Sequence, residues 1–304
     1  KALLSRKLVT LKDDVPIKDD LSNFVLKEVQ KEKLYDFLRE MEFNKLLSRA
    51  ISFYGTTETK QIRQHNPKIE LSKIDVKNYE SITNEKALDK WVKILSQQTV
   101  IAVDTETSSL NPLEADLVGI SFSYSPNKAC YIPIAHKNTK SLKKEFILKK
   151  IKPILEDISI KKVGQNIKFD FIILKQNNIE INSIEDTMLI SYTLDAGTNR
   201  HNLDTLSEIH LNHKTISYKE LVGTGKNKLK FSDITLEKAT EYAAEDADVT
   251  LRLYNFLKAR LNEEKLNKIY ETFEKPMVKL LSKIEYNGIR VNDIYLKKLS
   301  KNFS

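Results

Sequence analysis

Two carboxylates stand one residue apart at the end of an apolar run in the stretch IAVDTETSSL. Residues 100–103 are typical of a buried strand. Side chains two apart in a strand point to the same face, so Asp104 and Glu106 crowd two negative charges onto one side. Burying unpaired carboxylates is costly, and a hard divalent cation is the simplest partner that stabilises them. The spacing indicates a metal site, while a strand that ends in a polar loop remains the alternative for this stretch alone.

Two further stretches hold acidic residues that could complete such a site. In VGQNIKFD, Gly164 allows the chain to turn sharply, and Asp170 falls near the start of a helix, where free backbone amides favour a carboxylate. In YAAEDADVT, Tyr242 and Asp246 are four residues apart and share one face of a helix. Alanines beside them would let this helix lie close to a sheet. Each stretch alone also fits an ordinary structural role.

Other polar side chains near these stretches are expected at the surface. Glu245 and Asp248 point away from the helical face that carries the tyrosine. His210 and His213 stand in the short motif HLNH without a third ligand, so a surface location is favoured over a metal site. Cys130 lies in an apolar strand and is expected in the core.

The composition restricts the class of protein and its partners. The chain carries 42 lysines and 8 arginines against 42 acidic residues, which gives a net charge of +8 and a pI near 9.1. A lysine-rich basic chain favours sequence-independent contact with phosphates over base reading, although a lysine-rich surface alone explains the charge equally well. The single cysteine excludes an internal disulfide and suits a reducing cytoplasm. A run of about 18 apolar residues, as a transmembrane helix needs, is lacking.

The apolar pattern predicts helices packed around a mixed sheet. Residues 22–54 show the spacing of amphipathic helix, and the polar residues 55–72 indicate a linker. The central part begins with a meander of strands and continues with strand–helix units, which favours an α/β fold. Strands are predicted over 99–107, 116–125, 129–136 and 161–167, and helices there over 141–158, 169–177 and 236–261.

In combination the motifs resemble a known family. DTETSSL, VGQNIKFD, EDTMLISYTLDAG, LDTLSEIHLNHKTISYKELVGTGKNKLKF and YAAEDADVTL, in this order, are similar to the proofreading domain of bacterial DNA polymerase I. The carboxylates match the motifs of the DEDD 3′–5′ exonucleases, and Tyr242 in place of a histidine matches the DEDDy branch.

The flanks resemble other parts of the same polymerase. Residues 1–72 are similar to the tail of its 5′-nuclease domain followed by a linker, and residues 264–304 to the beginning of its polymerase domain, truncated before the catalytic carboxylates. The exonuclease domain is then expected over 73–263. The chain starts without Met and ends without an evident domain end, so we expect a segment of a longer polypeptide.

The resemblance implies a ribonuclease H-like fold, with a mixed five-stranded sheet flanked by helices and a helical N-terminal extension. It implies two divalent cations, Mg²⁺ or Mn²⁺, with Zn²⁺ as an option at one position. Asp104, Glu106 and Asp246 would hold the first cation, and Asp104 with Asp170 the second. Tyr242 and Glu106 would orient a water that releases nucleotide monophosphates from DNA 3′ ends by two-metal hydrolysis.

The resemblance also implies residues that contact the substrate. Leu110 would wedge near the last bases, Tyr218 would stack where the family has phenylalanine, Gln165 and Asn166 would contact the terminal nucleotide, and Arg200 would contact the strand. The implied partners are a single-stranded or frayed DNA 3′ end and the remainder of the polymerase polypeptide. A monomer in the bacterial cytoplasm, without a membrane partner, is expected.

Two alternatives remain open at this point. One is a ribonuclease D-like RNA exonuclease of the same DEDDy branch. The other is a catalytically silent module that binds single-stranded DNA or serves as a spacer. The polymerase-like flanks argue against the first, and the presence of all four carboxylates with Tyr242 argues against the second.

Overall fold

The computed structural model describes residues 2–11, 16, 28–41, 43–55, 73–137, 139, 141–225 and 229–303. The chain divides into two compact units, Lys1–Gln64 and His65–Ser304. The described elements of the first unit are the helices α1 (Ala2–Val9), α2 (Lys31–Glu40) and α3 (Asn44–Tyr54). Helices α2 and α3 pack together around Tyr35, whose buried hydroxyl donates to the carbonyl of Gly55 at 2.6 Å. The described residues of the N-terminal extension are thus mainly helical, whereas the predicted linker falls, apart from Gly55, outside the described residues.

The second unit is built on a mixed sheet that has six strands in the described part of the chain. The strands are β1 (Glu80–Ser81), β2 (Val100–Thr107), β3 (Leu117–Ser125), β4 (Lys128–Pro133), β5 (Lys161–Gly164) and β6 (Ile184–Asp186). Their order is β1-β4-β3-β2-β5-β6. β2, β3 and β4 form the predicted antiparallel meander, and the β1–β4, β2–β5 and β5–β6 pairs are parallel. The predicted α/β class is confirmed, and the two-residue β1 adds to the five strands expected.

Helices cover both faces of this sheet. The helices of the unit are α4 (Glu85–Leu95), α5 (Lys144–Glu156), α6 (Lys168–Gln176), α7 (Thr187–Asp195), α8 (Leu203–Leu211), α9 (Tyr218–Val222), α10 (Leu236–Glu263), α11 (Asn267–Ile269), α12 (Lys275–Asn287) and α13 (Asp293–Phe303). One apolar cluster joins the sheet to α4, α5 and α6 and contains Cys130, which is buried as predicted. The opposite face packs on α10. Among the described helices, none has both the length and the apolar character needed to cross a membrane.

The alternation of β2 decides which side chains face α10. Ile101 and Val103 lie in the cluster with α4, α5 and α6. Side chains alternate along a strand, so Asp104 and Glu106 lie on the opposite face and point toward α10. Small residues let α10 approach on that side, because Ala243 is fully buried there. The periodicities of one strand and one helix therefore bring acidic residues that are distant in sequence together at the end of β2.

The chain after α10 packs onto the same unit. Val278 of α12 is buried in the cluster with the sheet and α6, and Lys168 of α6 forms an ion pair with Glu285 of α12. The hydroxyl of Tyr270 accepts a hydrogen bond from the backbone N–H of Asp186 at 3.0 Å. Packing thus continues across position 264, where a further domain is expected to begin, and the assignment of the domains stays a prediction.

Candidate active site

A cavity of about 530 Å³ opens at the end of β2, between that strand, the start of α6 and the middle of α10. Its lining consists of Asp104, Thr105, Glu106, Thr107, Ser108, Ser109, Leu110, Gln165, Asn166, Phe169, Asp170, Tyr218, Tyr242 and Asp246. Nine of the ten residues that the sequence analysis assigns to a site therefore line one cavity, and Arg200 is the exception.

Three carboxylates in this cavity are close enough to share one cation. Asp104, Glu106 and Asp246 each place an oxygen within 4.8 Å of the other two. Strand β2 supplies the first two because their side chains project to the same face, and α10 supplies the third from its buried, alanine-rich side. Carboxylate oxygens are the ligands that hard divalent cations such as Mg²⁺ and Mn²⁺ prefer. The donor set therefore fits such a cation.

The surroundings of the three carboxylates disfavour negative charge. Burial is the largest cause that raises the pKa of Asp104, Glu106 and Asp246 above their ordinary values. Repulsion from the neighbouring carboxylates raises the pKa of Glu106 and Asp246 further. Among the described residues that line the cavity, none is a lysine, arginine or histidine. Since like charges in a buried site favour protonation, a bound cation would stabilise the ionised cluster.

Asp170 lines the same cavity in a different setting. Its carboxylate is buried and accepts hydrogen bonds from the backbone N–H of Thr105, at 2.9 Å, and from the Thr105 hydroxyl. Burial and the charge of Asp104 raise the pKa of Asp170, whereas the bonds from Thr105 lower it. Asp170 is not in the 4.8 Å group, so its part in a second cation position stays a prediction. Thr105 is a further residue of the site that was not predicted from the sequence; its place between two acidic residues was the available signal.

Tyr242 stands over the carboxylates and is held by other rings. Its hydroxyl is hydrogen bonded to the carboxylate of Asp246, one helical turn away. The rings of Phe231 and Tyr218 lie 5.9 and 6.1 Å from the Tyr242 ring, measured between centroids. Burial, followed by the charges of Asp246 and Glu106, raises the pKa of Tyr242. The phenol therefore stays neutral and can donate a hydrogen bond.

Gln165 and Asn166 form a tight turn at the floor of the cavity. Asn166 has a φ of 58°, in the left-handed region that asparagine tolerates better than most residues. Asp186 fixes the turn, because its carboxylate accepts from the backbone N–H of Asn166 at 3.1 Å and of Ile167 at 3.0 Å. The Gln165 amide donates to the carbonyl of His201 at 2.7 Å. The turn is thus rigidly placed next to Asp170.

Two of the remaining predicted contact residues border the cavity of the carboxylates, and the third lines another cavity. Leu110 is 91% exposed and Tyr218 is 37% exposed, and both border the cavity. Arg200 lines a separate cavity with Tyr192 and His201. The hydrogen bond from Gln165 to the carbonyl of His201 joins that second cavity to the first.

Two acidic residues expected at the surface are buried instead. Glu245 is 1% exposed and pairs with His213, with 2.8 Å between the carboxylate and Nε2. Asp248 is 0% exposed and accepts from Tyr79 at 2.9 Å and from Arg252 at 3.1 Å. The surface prediction is wrong for both because α10 is covered on nearly every side, so its polar residues meet partners rather than water.

The two histidines predicted at the surface are also partly covered. His213 bonds Glu245, as described, and its side chain is 26% exposed. The ring of His210 lies 5.0 Å from the ring of Phe256 in α10. Both side chains are partly covered and partly exposed, and the prediction that the two histidines hold no metal stays a prediction.

Comparison with known proteins places this geometry in a family. The family described as 3′–5′ exonuclease matches residues 79–262. The DNA polymerase I of Rhizobium leguminosarum is 34% identical over 378 residues, covering 98% of this chain and 37% of the relative. That of Pseudomonas aeruginosa is 35% identical over 299 residues, covering 96% of this chain and 32% of the relative. The chain thus spans about a third of the length of these relatives.

Solved structures agree in fold. The polymerase domain of Pol1 from M. smegmatis, in complex with DNA primer-template and dNTP, superposes with a TM-score of 0.59 at 18% identity, over 73% of this chain and 35% of that one. The catalytic core of RRP6 from Trypanosoma brucei superposes with a TM-score of 0.52 at 19% identity, over 67% and 51%. The fold is therefore ribonuclease H-like. With a family match over residues 79–262 and relatives that cover nearly the whole chain, the protein belongs to the DNA polymerase I family and carries its 3′–5′ exonuclease domain.

Proposed function

We propose that this chain removes nucleotide monophosphates from DNA 3′ ends by metal-dependent hydrolysis. The observation that carries the proposal is the group of Asp104, Glu106 and Asp246 within 4.8 Å, in a cavity of a 3′–5′ exonuclease domain. Such a domain in a DNA polymerase I relative would serve proofreading.

The carboxylates would hold two divalent cations, Mg²⁺ or Mn²⁺. Asp104, Glu106 and Asp246 form the first set of ligands, and Asp170 would join Asp104 at the second position. Cations bound there supply a lowered pKa for the attacking water and charge stabilisation for the leaving 3′ oxygen. The carboxylates must be ionised to act as ligands, and their raised pKa values make cation binding compete with protons.

Tyr242 and Glu106 would orient the attacking water. The neutral phenol of Tyr242 donates its one O–H hydrogen bond to Asp246, so its oxygen would be an acceptor for a water, and the ionised Glu106 beside it would be a second acceptor. A water between them would donate one proton to the Tyr242 oxygen and the other to Glu106, so a lone pair of its oxygen could be aimed at phosphorus. Orientation of this kind lowers the entropic part of the barrier.

The rim of the cavity suits a single strand better than a duplex. Leu110 and Tyr218 are exposed apolar and aromatic surfaces next to the carboxylates, and stacking on such surfaces is tolerant of sequence. Gln165 and Asn166 would contact the terminal nucleotide, and Arg200, in the adjoining cavity, would contact the strand further from the end. We propose a frayed DNA 3′ end and the remainder of the polymerase polypeptide as partners of a cytoplasmic enzyme.

A gel assay tests this function. A 5′-labelled single-stranded DNA oligonucleotide is incubated with the chain in Mg²⁺ or Mn²⁺, beside an EDTA control and the Asp104→Ala variant. We expect a descending ladder that both controls abolish. The matched variant Asp89→Ala, which removes an exposed carboxylate on α4, should leave the ladder unchanged.

The same gel separates the alternatives. An RNA oligonucleotide digested faster than DNA would favour the ribonuclease D-like activity. A DNA band that stays intact while its mobility is retarded in a native gel would favour a silent binding module. A ladder that persists in EDTA would exclude the metal-dependent mechanism.

A further inference from the structure

A buried carboxylate ties the helix of the cation ligands to the segment that carries Tyr218. Glu245 directly precedes Asp246 in α10 and is 1% exposed. Its Oε1 lies 2.8 Å from Nε2 of His213, and its Oε2 accepts from the backbone N–H of Ile216 at 2.6 Å. Both oxygens therefore bind residues 212–217, which we call the 212–217 segment.

Further contacts hold the same segment against α8. Asn212 ends α8 in a left-handed conformation. The hydroxyl of Ser207 donates to the carbonyl of His213 at 2.9 Å, and the hydroxyl of Thr215 donates to Asp204 at 2.7 Å. The segment is thus fixed at several points along its length, and the link to Glu245 joins it to the helix of Asp246.

The 212–217 segment leads directly into Tyr218. Ile216, whose N–H binds Glu245, is two residues before Tyr218, the first residue of the five-residue helix α9. A helix this short has little intrinsic stability, so its position depends on the chain on either side. The Tyr218 ring lies at the cavity rim, 6.1 Å from the ring of Tyr242.

We infer that Glu245 and His213 are positioning residues that set the Tyr218 ring at a fixed distance from the carboxylate site. Adjacent positions of α10 would then serve two ends of one nucleotide: Asp246 on the phosphate side and Glu245, through the 212–217 segment, on the base side. This inference rests on the proposed exonuclease function, because it assumes that the terminal base stacks on Tyr218.

A looser Tyr218 ring should change one kinetic constant more than the other. Removing His213 should leave Asp104, Glu106 and Asp246 in place. The 212–217 segment would be held less firmly, so the Tyr218 ring would no longer be fixed at the cavity rim. Loss of stacking weakens binding of the strand, so KM should rise while kcat changes little. Stacking on an aromatic side chain contributes enough for a rise of about fivefold or more.

The test compares two single-stranded DNA substrates that differ only at the 3′ end. One carries an ordinary terminal nucleotide, and the other an abasic terminal residue, which keeps the phosphate and removes the ring. For His213→Ala in the full chain, we expect a higher KM on the ordinary end and an unchanged KM on the abasic end. A conservative variant, His213→Gln, keeps an N–H donor and should restore most of the loss.

A double variant sharpens the test. If His213 acts through Tyr218, then Tyr218→Ala with His213→Ala should have the KM of Tyr218→Ala alone. Equal losses on ordinary and abasic ends, or losses that add in the double variant, would overturn the inference. A wild-type chain that degrades neither substrate would instead refute the exonuclease function on which the inference rests.

Discussion

Helix α10 contributes acidic side chains to two buried groups with different surroundings. On one side Asp246 meets Asp104 and Glu106, and none of the described residues that line their cavity is a lysine, arginine or histidine. On other sides of the same helix, Glu245 and Asp248 are buried more deeply, and their oxygens bind protein donors. Burial alone therefore does not distinguish the carboxylates proposed for the site, whereas burial among like charges does.

The partnered group shows how the protein itself satisfies a buried acid. Asp248 accepts from the hydroxyl of Tyr79, from the backbone N–H of Asn127 and from Arg252. Asp186 accepts backbone N–H groups of Asn166, Ile167, Met188 and Leu189. A buried carboxylate with such donors joins elements that are distant in sequence, and its loss leaves other polar groups unpaired.

Of the changes to these two groups of carboxylates, one in the clustered group should have the largest effect, and that effect is on activity. Asp246→Asn removes one of three clustered charges, so cation binding fails and the exonuclease rate should fall by about a thousandfold, as when one electrostatic contact to a transition state is removed. The melting temperature of the metal-free variant should be equal to or above that of the wild type, because repulsion is relieved. Initial rates on single-stranded DNA and calorimetry measure the two quantities, with Glu237→Gln, an exposed acid of α10, as the matched control.

An aspartate-to-asparagine change at position 248, two residues after Asp246, should lower stability rather than activity. Asp248→Asn removes the charge that pairs with the buried Arg252, and breaking a buried ion pair by changing one partner costs about 3 kcal/mol or more. Urea denaturation should show this loss of the free energy of unfolding. Where Asp248→Asn remains folded, its rate per folded molecule should match the wild type. A stable but inactive Asp248→Asn would remove the distinction between the two groups.

Much of the candidate site was predictable from short-range periodicity. The period of two in β2 places Asp104 and Glu106 on one face, and the period of the helix places Tyr242 with Asp246. These rules need only the spacing of residues, and the alanines of α10 indicate a close approach to the sheet. The resemblance of the motifs to the exonuclease family then selects the chemistry among the alternatives that spacing leaves open.

What could not be predicted depends on contacts between distant parts of the chain. The sequence pattern predicts Asp248 at the surface, because its hydrogen-bond partner Tyr79 is 169 residues away in the chain. His213 contacts Glu245 because the 212–217 segment packs against α10. Arg200 lies in the loop between α7 and α8, and the conformation of that loop, rather than its spacing, places the side chain in a second cavity.

Divalent cations should stabilise the fold through the cluster of Asp104, Glu106 and Asp246. A ligand that binds the folded state alone adds about 2.7 kcal/mol to the free energy of unfolding at about 100 times its dissociation constant. The melting temperature should therefore be higher with Mn²⁺ than with EDTA. Asp104→Asn should abolish this difference and Asp89→Ala should retain it. Equal melting temperatures of the wild type in both conditions would contradict a cation site at these carboxylates.

The smallest expected effect is on the free energy of unfolding and comes from Lys162 of β5. This buried amine allows the same comparison for a positive charge. Lys162 is 0% exposed, and its amine donates to the carbonyl of Asp157. Burial lowers the pKa of Lys162 to about 8, whereas in the unfolded chain a lysine has a pKa of about 10.4. Between these values the unfolded state binds the additional proton, so the free energy of unfolding rises with pH, and below about pH 8 this contribution is lost.

Lys162→Met should remove this slope. From about pH 7.5 to about pH 9.5, the wild type should gain about 2 kcal/mol of unfolding free energy relative to Lys162→Met, measured by urea denaturation at each pH. Lys161→Met, at the neighbouring and half-exposed position, should follow the wild-type slope. If Lys162→Met and the wild type gave parallel profiles, the amine would be charged throughout, and one carbonyl would suffice for a buried cation. A strongly shifted pKa would then be confined to the clustered carboxylates, where repulsion between like charges adds to the cost of burial.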